Sequence, residues 1–565
     1  MATFKRDLKS LQEQSFDVLI IGGGITGAWL ALHCQQAGLK TALVERSDYA
    51  SETSSASSKL LHGGIRYLQQ MQFAKVRESA MERAEFVYAA PHLSKPVPFI
   101  VPTYPDFQRS KFFLNCGMLA YAALSLGQNR VIGSKAETLP PTRNLTRNEL
   151  NKIYRIDDNH TGGVVFYERH MFDSERMVLD ILKSAADAGA VINNYVNVEH
   201  LTVEHLTFDQ QRVVGATAVD TLDDVSFTIS ANLVINAAGP WIDDLNGKLP
   251  KAALAPSING FAVGSHIITR QISDHAIAIA TQLESDTTID RGGRHVFIIP
   301  WRGYSLIGTS YDEIDSSHHK VSIQADHVNQ LLDAVNQGIP NACLTRADLI
   351  SGYSGLYPLR TDNIKATVYQ GSGEYQVIDH AKANGVEGLI TALGAKFTTG
   401  RKLSALTMRQ VARKLQRTLS VTRSRLSASN YQEFDTLLND LLSQYQSRYS
   451  EATIRHLAQS YGSQASAVLD SASTDVLKEH IMPSQPDIMA QVTWAIEHEQ
   501  AMTLEDVLFR RLSLGLLGIN DAQIKAVAGV MASALQWSSE AAQQQIEQVQ
   551  AQLALIHDAL HPSTS

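Results

Sequence analysis

Residues 16–45, FDVLIIGGGITGAWLALHCQQAGLKTALVE, constrain the fold more than any other stretch of the chain. The apolar run 16–21 is long enough for one buried strand, and residues 40–44 supply a second. Between them Gly22, Gly24 and Gly27 form G-x-G-x-x-G, followed by a helical stretch over 25–37 that stops at Gly38. Gly22 permits the tight turn out of the strand. Gly24 lets backbone approach a pyrophosphate, and Gly27 lets the helix pack on the strand. The helix N-terminus presents free N–H groups and positive dipole to an anion. Glu45 stands eighteen residues after Gly27, placed to accept hydrogen bonds from ribose hydroxyls. Strand, glycine turn, helix and acid together predict a dinucleotide site at the head of a βαβ unit.

A chain of 565 residues is too long for one core and predicts two or three domains. The formal net charge of −8, with no block of like charges, argues against nucleic acid as a partner. Cys34, Cys116 and Cys343 are far apart, with neither metal-ligand nor disulfide spacing, so no metal site is expected and a reducing cytoplasm is. The first residues lack the apolar core of a signal peptide, and no apolar run reaches membrane-spanning length.

Residues 51–68, SETSSASSKLLHGGIRYL, read as an extended segment lining something polar, or else as a solvated loop. Lys59, His62, Arg66 and Tyr67 are an unusual concentration of ligand-capable side chains for a linker. Residues 111–126, KFFLNCGMLAYAALSL, are apolar around most of a helix. Periodicity favours a buried helix, the alternative being one that dips into a single leaflet. Residues 191–220 and 225–236 read as strands, and residues 236–243, NAAGPWID, close the latter with small residues. Short strands over 257–309 suggest an inserted sheet. A second strand–glycine–helix junction follows at Gly394-Ala395-Lys396-Phe397-Thr398, and beyond Thr418 helical periodicity takes over.

These segments together resemble the FAD-dependent glycerol-3-phosphate dehydrogenases, within the D-amino-acid-oxidase-like flavoproteins. The resemblance rests on DVLIIGGGITGA, TSSASSKLLHGGIRYL, NAAGPW, GSHIIT, FIIPW, LIGTS, YSGLYPL, LGAKFTTGRKL and HEQAMTLEDVLFRRLSLGL, in the family's order from about residue 16 to 515. It implies an α/β fold: an FAD-binding Rossmann-like domain with an inserted antiparallel or mixed substrate-binding sheet, plus an all-α C-terminal domain. On this reading residues 16–90, 166–250 and 381–418 build the FAD domain. Residues 91–165 form a substrate or cap region, 251–380 the substrate sheet and 424–562 the helical domain.

By the same resemblance FAD is held by Gly22, Gly24, Thr26, Gly27, Glu45, Arg46, Ser57, Ser58, Lys59, Leu60, His62, Gly63, Ala238, Gly239, Gly394, Lys396, Phe397 and Thr398. A helix N-terminus after Gly394 would stabilise negative charge on the reduced ring. His62, Arg66 and Lys396 are the catalytic candidates, and Arg66, Tyr67 and Tyr357 the substrate-binding ones. His62 either bonds backbone or takes the proton of an alcohol as its hydride leaves. The implied reaction oxidises sn-glycerol 3-phosphate to dihydroxyacetone phosphate and passes electrons to a quinone. The implied location is the cytoplasm, peripheral on the inner face of a membrane, with a homodimer among the expected states.

The substrate side departs from the family pattern. The family's YSGxRPL carries an arginine where this chain has Tyr357, and a second arginine position falls on Tyr369. The lysine before GSH is Val263, and the acid of GTTD is displaced to Asp312. Each lost charge-assisted bond to a phosphate weakens binding by about 1.5–3 kcal/mol, unless Arg302, Arg360 or Lys365 substitutes. The alternative is therefore a related flavoenzyme acting on another hydroxy or amino compound. Retention of His62, Arg66 and Lys396 argues against a flavin-binding subunit without turnover.

Overall fold

The strand Ser15–Ile21 lies at the centre of a parallel array. The order is Leu389–Leu393, Val225–Asn236, Ser15–Ile21, Thr41–Val44 and Val191–Asn193. The computed structural model describes residues 4–154, 156, 159–207, 210–249, 257–258, 260–280, 295–314, 321–359 and 375–562. Val18, Leu19 and Ile20 are fully buried, as a parallel strand covered on both faces requires. The helices Ile25–Gln36, Ser174–Asp187 and Gly400–Leu415 cover one face. The other packs against an antiparallel layer built from Val196–Thr207, Gln210–Asp220 and the first half of Val225–Asn236. Gly22, Glu45, Ala237 and Gly394 each follow the C-terminal end of a parallel strand, where open α/β sheets bind ligands.

A second sheet runs Asp312–Ile314, Gly260–Arg270, Tyr304–Gly308, His295–Trp301, Ala276–Ala280, Ser94–Thr103, Gly162–Met171 and Leu60–Leu61, with Leu349–Leu359 also paired to Gly260–Arg270. It thus takes strands from well outside residues 251–380. One face packs on the helix Ala325–Gly338 through Ile267, Ile277, Ile298 and Ile307. The opposite face, carrying Phe99, Ile299 and Leu306, meets the helical part of the chain and the helix Lys111–Leu124.

That last helix corrects the expectation of a buried element. Only Leu114, Met118 and Tyr121 are buried, while Phe112, Leu119 and Leu126 are 71%, 74% and 69% exposed, beside Phe107 at 69%. Its apolar circumference exceeds what one packing face can cover.

From Phe434–Tyr445 to Ser539–Leu560 the chain is helical. Buried charge ties this part to both sheets. Arg176 donates to Glu499 at 2.5 Å, and Lys183 reaches the same carboxylate at 3.3 Å. Burial alone would raise Glu499, but Arg176 and then Lys183 outweigh it and hold the carboxyl at about 2. Asp487 is likewise held at about 2 against its burial, by Arg302 and then His456. Arg302 sits in the turn between His295–Trp301 and Tyr304–Gly308, so Asp487 fastens the helical part to the second sheet. Removing one member of such a pair strands a buried charge, at a cost of about 3–5 kcal/mol.

Candidate functional site

A cleft, open to solvent, lies along the strand ends of the first sheet. One end is walled by Val196, Asn197, Val198 and Lys248; the other reaches Gly394, Ala395, Lys396 and Phe397. Gly22 turns at φ +114°, and a Cβ there would lie 2.6 Å from the Ala237 carbonyl oxygen. A Cβ on Gly27 would overlap the Gly22 carbonyl, so helix and turn close on each other only without one. Gly24 faces the cleft, where a Cβ would meet only the Ser54 hydroxyl, at 3.1 Å. Ser54 Oγ accepts from the Ile25 N–H at 3.0 Å, capping the helix at its anion-binding end. The Glu45 carboxylate accepts from the Gly23 N–H at 2.6 Å and the Ser47 N–H at 3.0 Å. Burial pushes this carboxyl above the usual carboxylate range, and those two N–H groups oppose the shift. The Arg46 guanidinium lies 4.5 Å from the centre of the Trp241 ring, two cleft-lining residues stacked together.

From Thr53 onward the serine-rich segment runs out of the cleft and along the second sheet, strand by strand. Thr53 Oγ1 donates to the Leu356 carbonyl at 2.5 Å. A Cβ on Gly355 would collide with Ala56, so the segment lies directly on that strand. Tyr353 Oη donates to the Ser57 carbonyl at 2.6 Å. Ser58 Oγ bonds His266 Nε2 at 2.8 Å on the next strand, Gly260–Arg270. The His266 ring stacks on Tyr353 with centroids 5.1 Å apart. Burial, and then the Lys59 charge, push His266 down to about 3, so its ring is neutral at physiological pH. The His62 ring lies 5.6 Å from Phe297 on His295–Trp301. The Gly63 N–H donates to Glu168 on Gly162–Met171 at 2.8 Å. A side chain on Gly63 would meet the Tyr121 hydroxyl and Arg83, which itself pairs with Glu168.

The structure sorts the candidates. Gly22, Gly24, Thr26, Glu45, Arg46, Ala238, Gly239, Gly394, Lys396 and Phe397 line the cleft. Lys396 Nζ lies 3.7 Å from the centre of the Tyr67 ring, so two candidates from distant segments meet. Ser57, Ser58, His62 and Gly63 continue from the cleft along the sheet, outside its lining, and Thr398 is buried beside it. Lys59 and Leu60 turn their side chains to the interior. Lys59 is fully buried and bonds both Glu175 carboxylate oxygens, at 2.8 and 3.0 Å, while Leu60 pairs with His170 in the second sheet.

Tyr357 lies opposite Ala262, with its ring 6.3 Å from Tyr311. It shares a strand face with Gly355 and Tyr353, the face on which the serine-rich segment lies. Arg302 is engaged by Asp487 and the Leu512 carbonyl, which removes it as a substitute phosphate ligand. The Arg66 side chain, Tyr369, Arg360 and Lys365 lie outside the described residues. The helix after Gly394 begins only at Gly400, because residues 394–399 form a loop and turn first. Sequence reasoning missed Ser54 and Trp241 as cleft residues. Their signals were a hydroxyl-rich run following the acid and an aromatic after the small residues at 237–239.

Comparison with known proteins defines the class. A family model described as FAD dependent oxidoreductase matches residues 17–408, and one described as the C-terminal domain of alpha-glycerophosphate oxidase matches residues 412–542. The chain belongs to the FAD-dependent oxidoreductase family and carries that C-terminal domain. It is 32% identical to a Synechocystis glycerol-3-phosphate dehydrogenase over 96% of this chain and 97% of that one. It is 30% identical to the aerobic glycerol-3-phosphate dehydrogenase of Staphylococcus aureus over 97% of each. The solved glycerol-3-phosphate dehydrogenase of Bacillus halodurans, complexed with FAD, superposes with a TM-score of 0.75 at 27% identity, covering 98% of this chain and 97% of that one. The protein is thus a glycerol-3-phosphate dehydrogenase-like, FAD-dependent oxidoreductase. The cleft fits FAD on its own geometry: a Cβ on Gly239 would meet nothing within 4 Å, one on Gly24 only the Ser54 hydroxyl, and the Ile25 helix end opens on the cleft.

The two glycines predict different failures. Gly24→Val points towards the cleft and asks only the Ser54 hydroxyl to give way, so the fold should survive while FAD binding weakens at least about tenfold. Gly27→Val should lower thermal stability even without cofactor, because backbone blocks its side chain. Fluorescence titration with FAD and thermal unfolding of the stripped proteins check both outcomes.

Proposed function

We propose that the protein oxidises sn-glycerol 3-phosphate to dihydroxyacetone phosphate and passes the electrons to a quinone. The observation that carries this reading is the match over both modules, cofactor domain and helical domain together, to relatives named glycerol-3-phosphate dehydrogenase. FAD, when bound, supplies the two-electron acceptor for the carbinol hydride. His62 takes the hydroxyl proton as the carbinol C–O becomes C=O. Lys396, its ammonium laid against Tyr67, holds the substrate anion together with Arg66. The sheet face bearing Tyr353 and Tyr357 forms the opposite wall, and the polar segment 53–63 lies between that face and the cofactor cleft.

A second reading, oxidation of another hydroxy or amino compound, is favoured by Tyr357 and by the commitment of Arg302 to Asp487. Among the described residues, neither brings a cation to a substrate phosphate. Anaerobic mixing of the yellow holoenzyme with substrate separates the two readings. Glycerol 3-phosphate should bleach the visible flavin band, and glycerol should do so far more slowly. If a hydroxy acid or amino acid bleaches it while glycerol 3-phosphate does not, the second reading holds. Tyr357→Arg should then restore the glycerol 3-phosphate reaction.

We further propose that the helix Lys111–Leu124 seats the protein on a membrane surface. No helix among the described residues is long and apolar enough to cross a membrane. Phe107, Phe112, Leu119 and Leu126 instead expose large apolar side chains near one helix. Each side chain buried in acyl chains contributes about 1.5–3 kcal/mol. The protein should sediment with phospholipid vesicles, and the double substitution Phe112→Asp, Leu119→Asp should leave it in the supernatant with its flavin retained. Equal sedimentation of both forms would remove the proposal.

A further inference from the structure

The connection between the second strand of the first sheet and the serine-rich segment, residues 45–54, is held at its middle by the helical domain. Asp48 is fully buried, and its carboxylate accepts four N–H donors. Arg510 Nε and Arg511 Nη1 reach Oδ2 at 2.7 and 2.6 Å. Arg511 Nη2 and Asn194 Nδ2 reach Oδ1 at 2.9 and 3.0 Å. The next residue, Tyr49, is also buried and donates its hydroxyl to Gln500 Oε1 at 2.9 Å. Gln500 in turn donates to the Ile192 carbonyl at 3.0 Å.

Arg510 and Arg511 close a π-helical turn, Asp506–Arg511, which Tyr195 and Thr503 anchor by donating to Asp506 Oδ1 at 2.7 Å each. A bidentate arginine fork on a buried carboxylate fixes orientation as well as distance.

On the other side of the same residues lies the cofactor cleft. The Tyr49 ring covers Gly23 so closely that a Cβ there would lie 2.8 Å from Tyr49 Cδ1. The Ala50 N–H donates to the Gly23 carbonyl at 3.2 Å, and the Gly23 N–H donates to Glu45. Glu45 and Arg46 before the anchor, and residues 50–54 after it, all line the cleft; Asp48 and Tyr49 do not.

We propose that Asp48, held by Arg510 and Arg511, is a positioning residue for FAD, so that docking of the helical domain and binding of the cofactor are thermodynamically linked. Two consequences follow from the reciprocity of linkage. Loosening the anchor weakens FAD binding, although no anchor residue lines the cleft. Filling the cleft with FAD tightens the π-helical turn on the far side of the anchor. A merely structural ion cluster would lower stability and leave the affinity of the folded protein for FAD unchanged.

The test uses the full chain as holoenzyme. FAD release on dilution is followed by the rise in free flavin fluorescence, for wild type, Asp48→Asn and Tyr49→Phe. Asp48→Asn should weaken FAD binding by about ten- to a hundredfold with far-ultraviolet circular dichroism unchanged. Tyr49→Phe, which removes one neutral hydrogen bond, should weaken it by about three- to tenfold. Hydrogen exchange on the wild-type protein gives the reciprocal measurement: amides of residues 506–511 should exchange more slowly with FAD bound than after its removal. If Asp48→Asn does not fold, Tyr49→Phe and the exchange experiment decide. Retention of FAD within about twofold of wild type by the folded variants, or exchange at 506–511 indifferent to FAD, would overturn the proposal.

Discussion

The arrangement of the site depends on one polar segment lying flat against a sheet. Residues 53–58 carry hydroxyls at every position but Ala56, where a core-facing segment would carry hydrocarbon, and this lets the segment bridge two surfaces. The backbone and hydroxyls of residues 53–63 bond Leu356, Tyr353, His266 and Glu168 in turn, on three different strands. A buried polar segment without such partners would lose its hydration with no return. With them, one continuous stretch of chain sets the distance between the cofactor cleft and the face that bears Tyr353 and Tyr357. The glycines at 355 and 63 let it lie that close.

Charge supplies the rigidity that hydroxyls alone would not. The helical domain reaches the helix Ser174–Asp187 over the first sheet through Glu499, the connection after that sheet's strand Thr41–Val44 through Arg511, and the second sheet through Asp487. Each contact is a carboxylate buried against arginine, so each is costly to break singly. The domain therefore spans the two sheets whose separation defines the pocket. Lys59 belongs to the same logic. Its ammonium turns inward to Glu175 and lies 5.3 Å from the Trp301 ring, fastening the serine-rich segment from below.

The cofactor half of this design was legible in the sequence because its physics is local. Gly22, Gly24, Gly27 and Glu45 act through turn geometry and a helix end, which spacing alone reveals. The inward turn of the Lys59 ammonium was not legible, because its partner Glu175 lies 116 residues away and no local pattern marks it. Arg302 could be weighed as a substitute phosphate ligand for the same reason, its partner Asp487 lying 185 residues on. The helix at 111–124 shows a different limit: composition marked it as apolar, but only packing shows which part of its circumference stays uncovered. The pairing of Asp48 with the two arginines of TLEDVLFRR was likewise hidden, because 462 and 463 residues separate them.

In the binding mode proposed for FAD, the flavin lies against the serine-rich segment, which itself rests on the strand bearing Tyr353 and Tyr357. The most direct measurement is an electron-density map of the protein crystallised with FAD. The pyrophosphate should lie at the N-terminus of Ile25–Gln36, and the isoalloxazine ring should extend between residues 57–63 and residues 394–397. Density that placed the ring away from residues 57–63, with the serine-rich segment uncovered, would rule this binding mode out.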